Sequence, residues 1–278
     1  MERKERIEEL WTCLEKREYR SFREELAEFN EVDVAELIES LPSDKATVAF
    51  RTLPKEMAAE VFSNLPVETQ QVIITSITDN ELSEIVDELF VDDAVDMLEE
   101  LPANVVKRVL KNADPQMRNL INQFLNYPEN SAGSIMTAEF VDLKKNMTVS
   151  DAIKHIRRTG EDSELIYTCY VTDARRELEG IVTVKDLLLA QDDDRIHELM
   201  ETDVITANTL EDQEEVVQRM MKYDFIAMPV VDHENRLVGI ITVDDVMDVM
   251  EEEATEDFEK MAAMAPSEKP YLKSSTFL

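Results

Sequence analysis

Glycine, histidine and cysteine are scarce in this 278-residue chain, with four, three and two of each. The four glycines are scattered, so no glycine-rich loop can cradle the phosphates of a nucleotide as a P-loop does. Cys13 and Cys169 lie far apart in unlike contexts, which argues against a disulfide framework or a zinc site and fits a reducing compartment. His155, His197 and His233 lack paired metal-ligand spacing, and no serine or cysteine nucleophile stands beside one of them. An enzyme is therefore the weakest reading. Positive charge is also short, with 29 Lys and Arg against 62 Asp and Glu and a net charge of −33. Nucleic acid is a poor partner for such a chain, because binding it needs a positive footprint. No run of about 20 apolar residues exists to cross a bilayer. The N-terminal MERKERIEELW is charged and helical, without a signal-peptide core.

What is present is hydrophobic enough to fold: 44% of residues are apolar, and the length suggests more than one domain. The charge opposes compaction, since two carboxylates ~4 Å apart repel by about 4 kcal/mol at an effective dielectric of 20. Cations are the obvious compensation.

A period of twelve runs through the first half. Leu41, Leu53, Leu65, Ile77, Leu89 and Leu101 fall on it, with proline following at 42, 54, 66 and 102. A Leu-Pro step before seven or eight helix-favouring residues predicts a short helix with proline in its first turn. Met57, Val61 and Phe62 share one helical face. Short helices are marginal alone and must stack, so residues 1–130 are expected to form an all-α domain, a superhelix of short helices over about 20–130 preceded by one longer helix. Asp92, Asp93 and Asp96 crowd one helix face there, with Asp92 a candidate helix cap.

The second half repeats itself. One copy carries Ile135-Met136-Thr137, Met147-Thr148-Val149-Ser150-Asp151, Tyr170-Val171-Thr172-Asp173 and Gly180-Ile181-Val182-Thr183-Val184-Lys185-Asp186. The other carries Leu199-Met200-Glu201, Asn208-Thr209-Leu210-Glu211-Asp212, Pro229-Val230-Val231-Asp232 and Gly239-Ile240-Ile241-Thr242-Val243-Asp244-Asp245. Each copy reads strand, helix, strand, turn, strand, helix. This duplicated pattern resembles a pair of CBS domains, here over 131–196 and 197–250. The resemblance implies an α/β disc about a pseudo-two-fold axis that dimerises and often binds adenine nucleotides such as ATP. It assigns phosphate and ribose to Thr183 with Asp186 and to Thr242 with Asp245. Lys185 and Lys222 are candidate counter-charges, although the surrounding acids work against them.

Residues 244–261 predict one helix, with Val246, Val249 and Met250 as its apolar stripe and Glu253, Glu256 and Asp257 together on another face. Hard divalent cations suit such carboxylates, and Mg²⁺ often takes only one or two of them plus waters. Asp192-Asp193-Asp194 is no EF-hand, because it lacks the glycine and glutamate of that loop.

Leu-Pro helical repeats, then Tyr127-Pro128-Glu129-Asn130-Ser131-Ala132-Gly133-Ser134-Ile135-Met136-Thr137 leading into a CBS pair, then an acidic helix with Glu253-Ala254-Thr255-Glu256-Asp257, resemble the cytosolic part of the MgtE family of magnesium channels. Asp212 to Val216 and Tyr223 to Phe225 add to the resemblance, which covers essentially the whole chain. It implies Mg²⁺ at Glu60, Asp92, Asp96 and Asp245, and at Asp212, Glu214 and Asp224 with carbonyls of Ser134 and Met221. It also implies Mg²⁺ at Glu253, Glu256 and Asp257 on a connecting (plug) helix within 251–278. That helix would lead to a transmembrane domain absent from this sequence, which matches the unfinished look of the last residues. The expected setting is the cytoplasmic face of the cell membrane, and the expected assembly is a homodimer through the CBS pair and plug helices. At low Mg²⁺ the acidic segments would repel one another, and at high Mg²⁺ ions would bridge them and hold a pore closed. Two rival readings are an adenine-nucleotide sensor using the CBS clefts and an interaction scaffold built on the helical repeat.

Overall fold

This computed structural model describes residues 10–262 except 11, 15 and 27, and omits the side chains of 55, 56, 252, 256, 257 and 259–262. Most of the longer N-terminal helix expected from sequence falls outside the described residues. The chain divides into two compact units between Gln123 and Phe124.

The first unit is helical throughout: α1 (Tyr19–Leu26), α2 (Glu31–Glu39), α3 (Ser43–Phe50), α4 (Lys55–Ser63), α5 (Val67–Ser76), α6 (Asp79–Val86), α7 (Val91–Glu100), α8 (Ala103–Asn112) and α9 (Pro115–Phe124). The N-caps of α2 to α8 are Asn30, Pro42, Pro54, Pro66, Thr78, Phe90 and Pro102, twelve residues apart. Asp114 continues the series, its Oδ1 accepting the Met117 N–H at 3.2 Å. The repeat thus extends one unit beyond the Leu-Pro pattern at each end. Proline stands at the cap rather than in the first turn, one residue earlier than the spacing predicts. Its ring fixes a φ that suits the extended cap, with φ −58° and ψ 150° at Pro54, and its carbonyl still accepts the first helical N–H. The leucine before it cannot stay helical, because the ring clashes with a helical predecessor. Leu101, at φ −86° and ψ 146°, ends α7 this way. The unit therefore stops its helices without glycine: all four glycines lie at or beyond residue 133.

Those leucines also anchor the stack. Leu41, Leu53, Leu65, Leu89 and Leu101 are buried, each at 8% exposure or less. Helix α2 packs on α4, α4 on α6 and α6 on α8, while α3 packs on α5. Phe50 and Phe62 meet edge to face with centroids 5.8 Å apart. Arg108 supplies the partner that the end of α5 lacks, donating to the carbonyls of Ile74 and Ile77 and pairing with Asp79. Asp92 is not a cap: Phe90 caps α7, and Asp92 and Asp93 lie in its first turn, where carboxylates meet the positive end of the helix.

The second unit holds two copies of one motif. The first has β1 (Phe140–Leu143), α10 (Val149–Thr159), β2 (Leu165–Thr172), β3 (Leu178–Thr183) and α11 (Val184–Leu189), then a short α12 (Ile196–Leu199). The second has β4 (Ala207–Asn208), α13 (Gln213–Tyr223), β5 (Ala227–Val231), β6 (Leu237–Thr242) and the long α14 (Val243–Ala262). Each sheet pairs its first two strands in parallel and its last two as an antiparallel hairpin. Both hairpin turns use one device. Asp173 Oδ1 accepts the N–H of Arg175 and Glu177, and Asp232 Oδ1 accepts those of Glu234 and Arg236. The fourth residue of each loop then takes a positive φ, 68° at Arg176 and 59° at Asn235.

The copies exchange their leading segments. Thr137, in the segment that leads the first copy, pairs with Ile240 of the second, and Glu201, in the segment that leads the second, pairs with Ile181 of the first. Gly180 and Gly239 make this possible. A Cβ on Gly239 would lie 2.7 Å from the Thr137 carbonyl, and one on Gly180 2.6 Å from that of Glu201. In α14, Val246 and Val249 are buried as expected, but Met250 is 42% exposed and joins Met247 on an outward apolar stripe.

Candidate functional site

A cavity of about 1070 Å³ opens in the second unit between elements of both copies. Tyr167 and Tyr170 of β2 and Tyr223 and Phe225 around the end of α13 supply aromatic walls, and Leu188 and Leu189 of α11 add apolar surface. The Tyr223 and Phe225 rings stack, 5.5 Å apart and inclined by 18°. Thr183 and Lys185 line the cavity from the first copy, facing Glu201, Asp203 and Asp224 in the same lining. Such a cleft, flat-walled, apolar and wide, suits an aromatic ligand.

Thr183 and Asp186 form a capping box at the start of α11. Thr183 Oγ1 donates to Asp186 Oδ2 at 2.5 Å, and the Asp186 N–H returns to Thr183 Oγ1 at 3.1 Å. At the start of α14 the Thr242 N–H and Oγ1 both donate to Asp245 Oδ2, each at 2.8 Å. Of the four nucleotide positions, Thr183 faces this cavity; Thr242 is fully buried, and neither it nor Asp245 is part of the lining. Lys222 lies over the Tyr223 ring at 5.0 Å and borders a separate cavity of about 450 Å³ with Arg219 and Glu215. Cys169 is buried, which pushes its thiol up to about 12 and removes it as a ligand or nucleophile at neutral pH.

The acidic positions in this unit gather at the two ends of α13. At the start, Asp212 caps the helix by accepting the Glu214 N–H at 3.0 Å and bridges to Ser131, whose carbonyl accepts from Ser134 Oγ at 2.8 Å. Glu214 Oε1 accepts from Gln218 at 3.0 Å. At the far end sit Met221 and Asp224, and Asp224 closes the helix in the left-handed region at φ 54°, ψ 41°. Twelve residues of helical rise separate Asp212 from Asp224 by about 18 Å, so one ion in one copy cannot touch both. Glu253 lies partway along α14, 3.4 Å from the Gln213 amide nitrogen. The side chains of Glu256 and Asp257 fall outside the described residues. In the first unit, Asp92 and Asp96 are one turn apart on α7. Glu60, on α4, has its carboxyl raised above the usual range by partial desolvation and by the negative charge of Glu31.

Among the described residues, no three Asp, Glu, His or Cys side chains converge to hold a metal ion. The donors are oxygen atoms in ones and twos. That set fits Mg²⁺, which keeps most of its waters, and does not fit zinc or a calcium cage.

The aromatic walls were the part of this site that sequence reading missed. The Tyr223-Asp224-Phe225 run was visible, but nothing local ties it to Tyr167 and Tyr170, which β2 brings from over fifty residues away.

A stack of capped helices joined to an exchanged pair of CBS motifs with a ligand-sized cleft defines a CBS-type binding module. Residues 29–130 match the MgtE intracellular N domain, and residues 132–193 and 196–252 match the CBS domain. The chain belongs to the MgtE family. The magnesium transporter MgtE of Thermus thermophilus is 42% identical over 177 residues, 62% of this chain and 39% of that protein. The magnesium transporter MgtE of Bacillus subtilis is 32% identical over 244 residues, 88% of this chain and 54% of that protein. The chain thus spans about half the length, or less, of these curated relatives. The crystal structure of the cytosolic domain of the Mg²⁺ channel MgtE in complex with ATP superposes with a TM-score of 0.81 at 38% identity, over 86% of this chain and 98% of that one. The crystal structure of the soluble part of a magnesium transporter gives 0.87 at 29% identity, over 91% of this chain and 100% of that one. No described helix is long and apolar enough to cross a membrane.

Proposed function

We propose that this chain is the Mg²⁺-sensing regulatory part of a magnesium transporter or channel, placed at the cytoplasmic face of the membrane. The observation that carries this is the distribution of its acids: ones and twos on α7, at both ends of α13 and on α14, with no three converging among the described residues. Such half-sites need a second surface to complete them, and an ion that binds only the joined form shifts the equilibrium toward it. Glu60, Asp92 and Asp96 are the ligands we assign to the helical unit, and Asp245 is their counterpart on α14. Asp212, Glu214 and Asp224, with carbonyls of Ser134 and Met221, serve ions around the CBS pair, and Glu253, Glu256 and Asp257 serve the plug helix.

Mg²⁺ there supplies charge neutralisation; the chain's own residues repel one another without it. The outward stripe of Met247 and Met250, with Leu188 and Leu189 at 70% and 74% exposure, is the face we assign to a homodimer. Helix α14 would then transmit the joined state to a transmembrane domain of the same protein. Limited proteolysis in Mg²⁺ against chelator, at constant ionic strength, tests the proposal. Protection by Mg²⁺ supports it, and an unchanged cleavage pattern contradicts it.

A second ligand has its own observation, the 1070 Å³ aromatic cleft. We assign it to an adenine nucleotide that tunes the same equilibrium, with Thr183 and Lys185 at its polar side.

A further inference from the structure

The two copies carry opposite charge at one equivalent place. The segment entering α13, Asn208-Thr209-Leu210-Glu211-Asp212, ends on an acidic cap, and Glu214 and Glu215 follow it. Its counterpart entering α10, Lys144-Lys145-Asn146-Met147-Thr148, ends on a neutral cap and carries two lysines. Arg195-Ile196-His197 is laid against that basic segment by backbone hydrogen bonds. The Ile196 N–H donates to the Met147 carbonyl and the His197 N–H to the Lys145 carbonyl, each at 3.1 Å.

An open cavity of about 540 Å³ lies between these segments, lined by Lys145, Asn146, Arg195 and His197. All four residues are exposed, and the lining contains no carboxylate. In a chain with 62 acids against 29 bases, such a surface runs against composition. Its polar groups are also set in place. Arg195 Nη1 donates to the Asn146 carbonyl at 2.6 Å, and His197 Nδ1 to the Lys145 carbonyl at 3.2 Å. These acceptors are neutral, so they orient the two side chains without cancelling charge. Among the described residues the Arg195 side chain makes no ion pair, and the rest of its planar fork is left to face a ligand. The neighbouring acids are engaged elsewhere. Glu198 accepts the Arg195 backbone N–H at 3.2 Å, and Asp151 accepts that of Thr148 at 3.3 Å. Glu179 holds Lys145 at 2.5 Å, and the lysine side chain stays 55% exposed.

The lining offers charge and N–H groups but no apolar wall for a base, unlike the aromatic cleft. A planar guanidinium fork beside a lysine is the pairing that suits a tetrahedral oxyanion. We propose that this cavity is an anion site for a phosphate group, with Arg195 supplying the fork and Lys145 the second charge. Inorganic phosphate and the headgroup of an anionic phospholipid share that chemistry. The site is independent of the Mg²⁺ and nucleotide readings.

Amide NMR of the full chain in EDTA, titrated with inorganic phosphate and with sodium chloride at matched ionic strength, tests the free anion. Sedimentation with phosphatidylcholine vesicles, with and without phosphatidic acid, tests the headgroup. The expected result is saturable shifts at Lys145, Asn146 and Arg195 to His197 in phosphate alone, or sedimentation that requires phosphatidic acid. Either response should weaken about threefold to tenfold in Arg195→Gln. Lys145→Gln leaves the Asn146 contact intact and should weaken it as well, so the test stands even if R195Q proves unstable. A phosphate response without vesicle binding identifies the free anion, and vesicle binding identifies the headgroup. Shifts matched by chloride, a response equal in wild type and both variants, or no response in either arm overturns the proposal.

Discussion

The side-chain amide nitrogen of Gln213 lies 3.4 Å from Glu253 Oε1 and the same distance from Asn130 Oδ1, so one buried amide joins three segments. Gln213 is 4% exposed, and its backbone N–H also donates to the Asn130 carbonyl at 3.0 Å. Through it the lead-in to the CBS pair, the start of α13 and the acidic stretch of α14 share a fixed point.

Replacing Gln213 by alanine should loosen α14 beyond Met250. A hydrogen bond of this kind contributes about 0.5–1.5 kcal/mol, which corresponds to amide exchange about twofold to tenfold faster. Hydrogen–deuterium exchange of peptides covering 250–260, in chelator, measures this. Peptides from α10 should be unaffected.

Gly239→Ala tests the exchange of leading segments. The added Cβ would lie 2.7 Å from both the Thr137 carbonyl and Met136 Sδ, and the carbonyl belongs to a backbone pair that cannot easily move. A destabilisation of about 1–3 kcal/mol is expected, the usual range for overpacking. Urea denaturation followed by a probe in the second unit measures it.

Asp224 separates charge from backbone. It closes α13 at φ 54°, a conformation that asparagine shares and alanine resists by about 1–2 kcal/mol. D224N should keep the stability of wild type and lose Mg²⁺ response at this position. D224A should lose both, as thermal unfolding with and without Mg²⁺ would report.

Glu60 makes the first unit sensitive to pH. Its folded pKa lies above the ordinary 4.5, so the stability associated with the proton is complete below that value and is lost as pH rises through the folded one. E60Q stays neutral throughout. The variant should match wild type in mild acid and exceed it at pH 7, and E31Q should narrow the gap. Thermal unfolding of the first unit across pH 4–8 follows this.

The parts of the fold legible in sequence were those with a local cause. Proline after leucine fixes where α3, α4, α5 and α8 begin, because a ring and its steric clash act on adjacent residues. Asp173 and Asp232 mark their turns for the same reason. The parts that were illegible depend on partners distant in the chain. Nothing near Thr137 announces that it pairs with Ile240, and Met250 keeps helical spacing yet is exposed while Val246 and Val249 of the same helix are buried. The acidic positions were visible as clusters, but their division between the two ends of α13 follows from helix length and could not be read as one site. Tyr170 looks like an ordinary strand residue until the second copy closes a cleft against it.

On the proposed mechanism Mg²⁺ joins acidic surfaces that otherwise repel. Small-angle X-ray scattering of wild type and of the triple variant Asp92→Asn, Asp96→Asn, Asp245→Asn, in Mg²⁺ and in EDTA at matched ionic strength, tests it most directly. Mg²⁺ is expected to lower the radius of gyration of wild type and to leave that of the variant unchanged. A wild-type radius that does not respond, or a variant that contracts as fully as wild type, would contradict it.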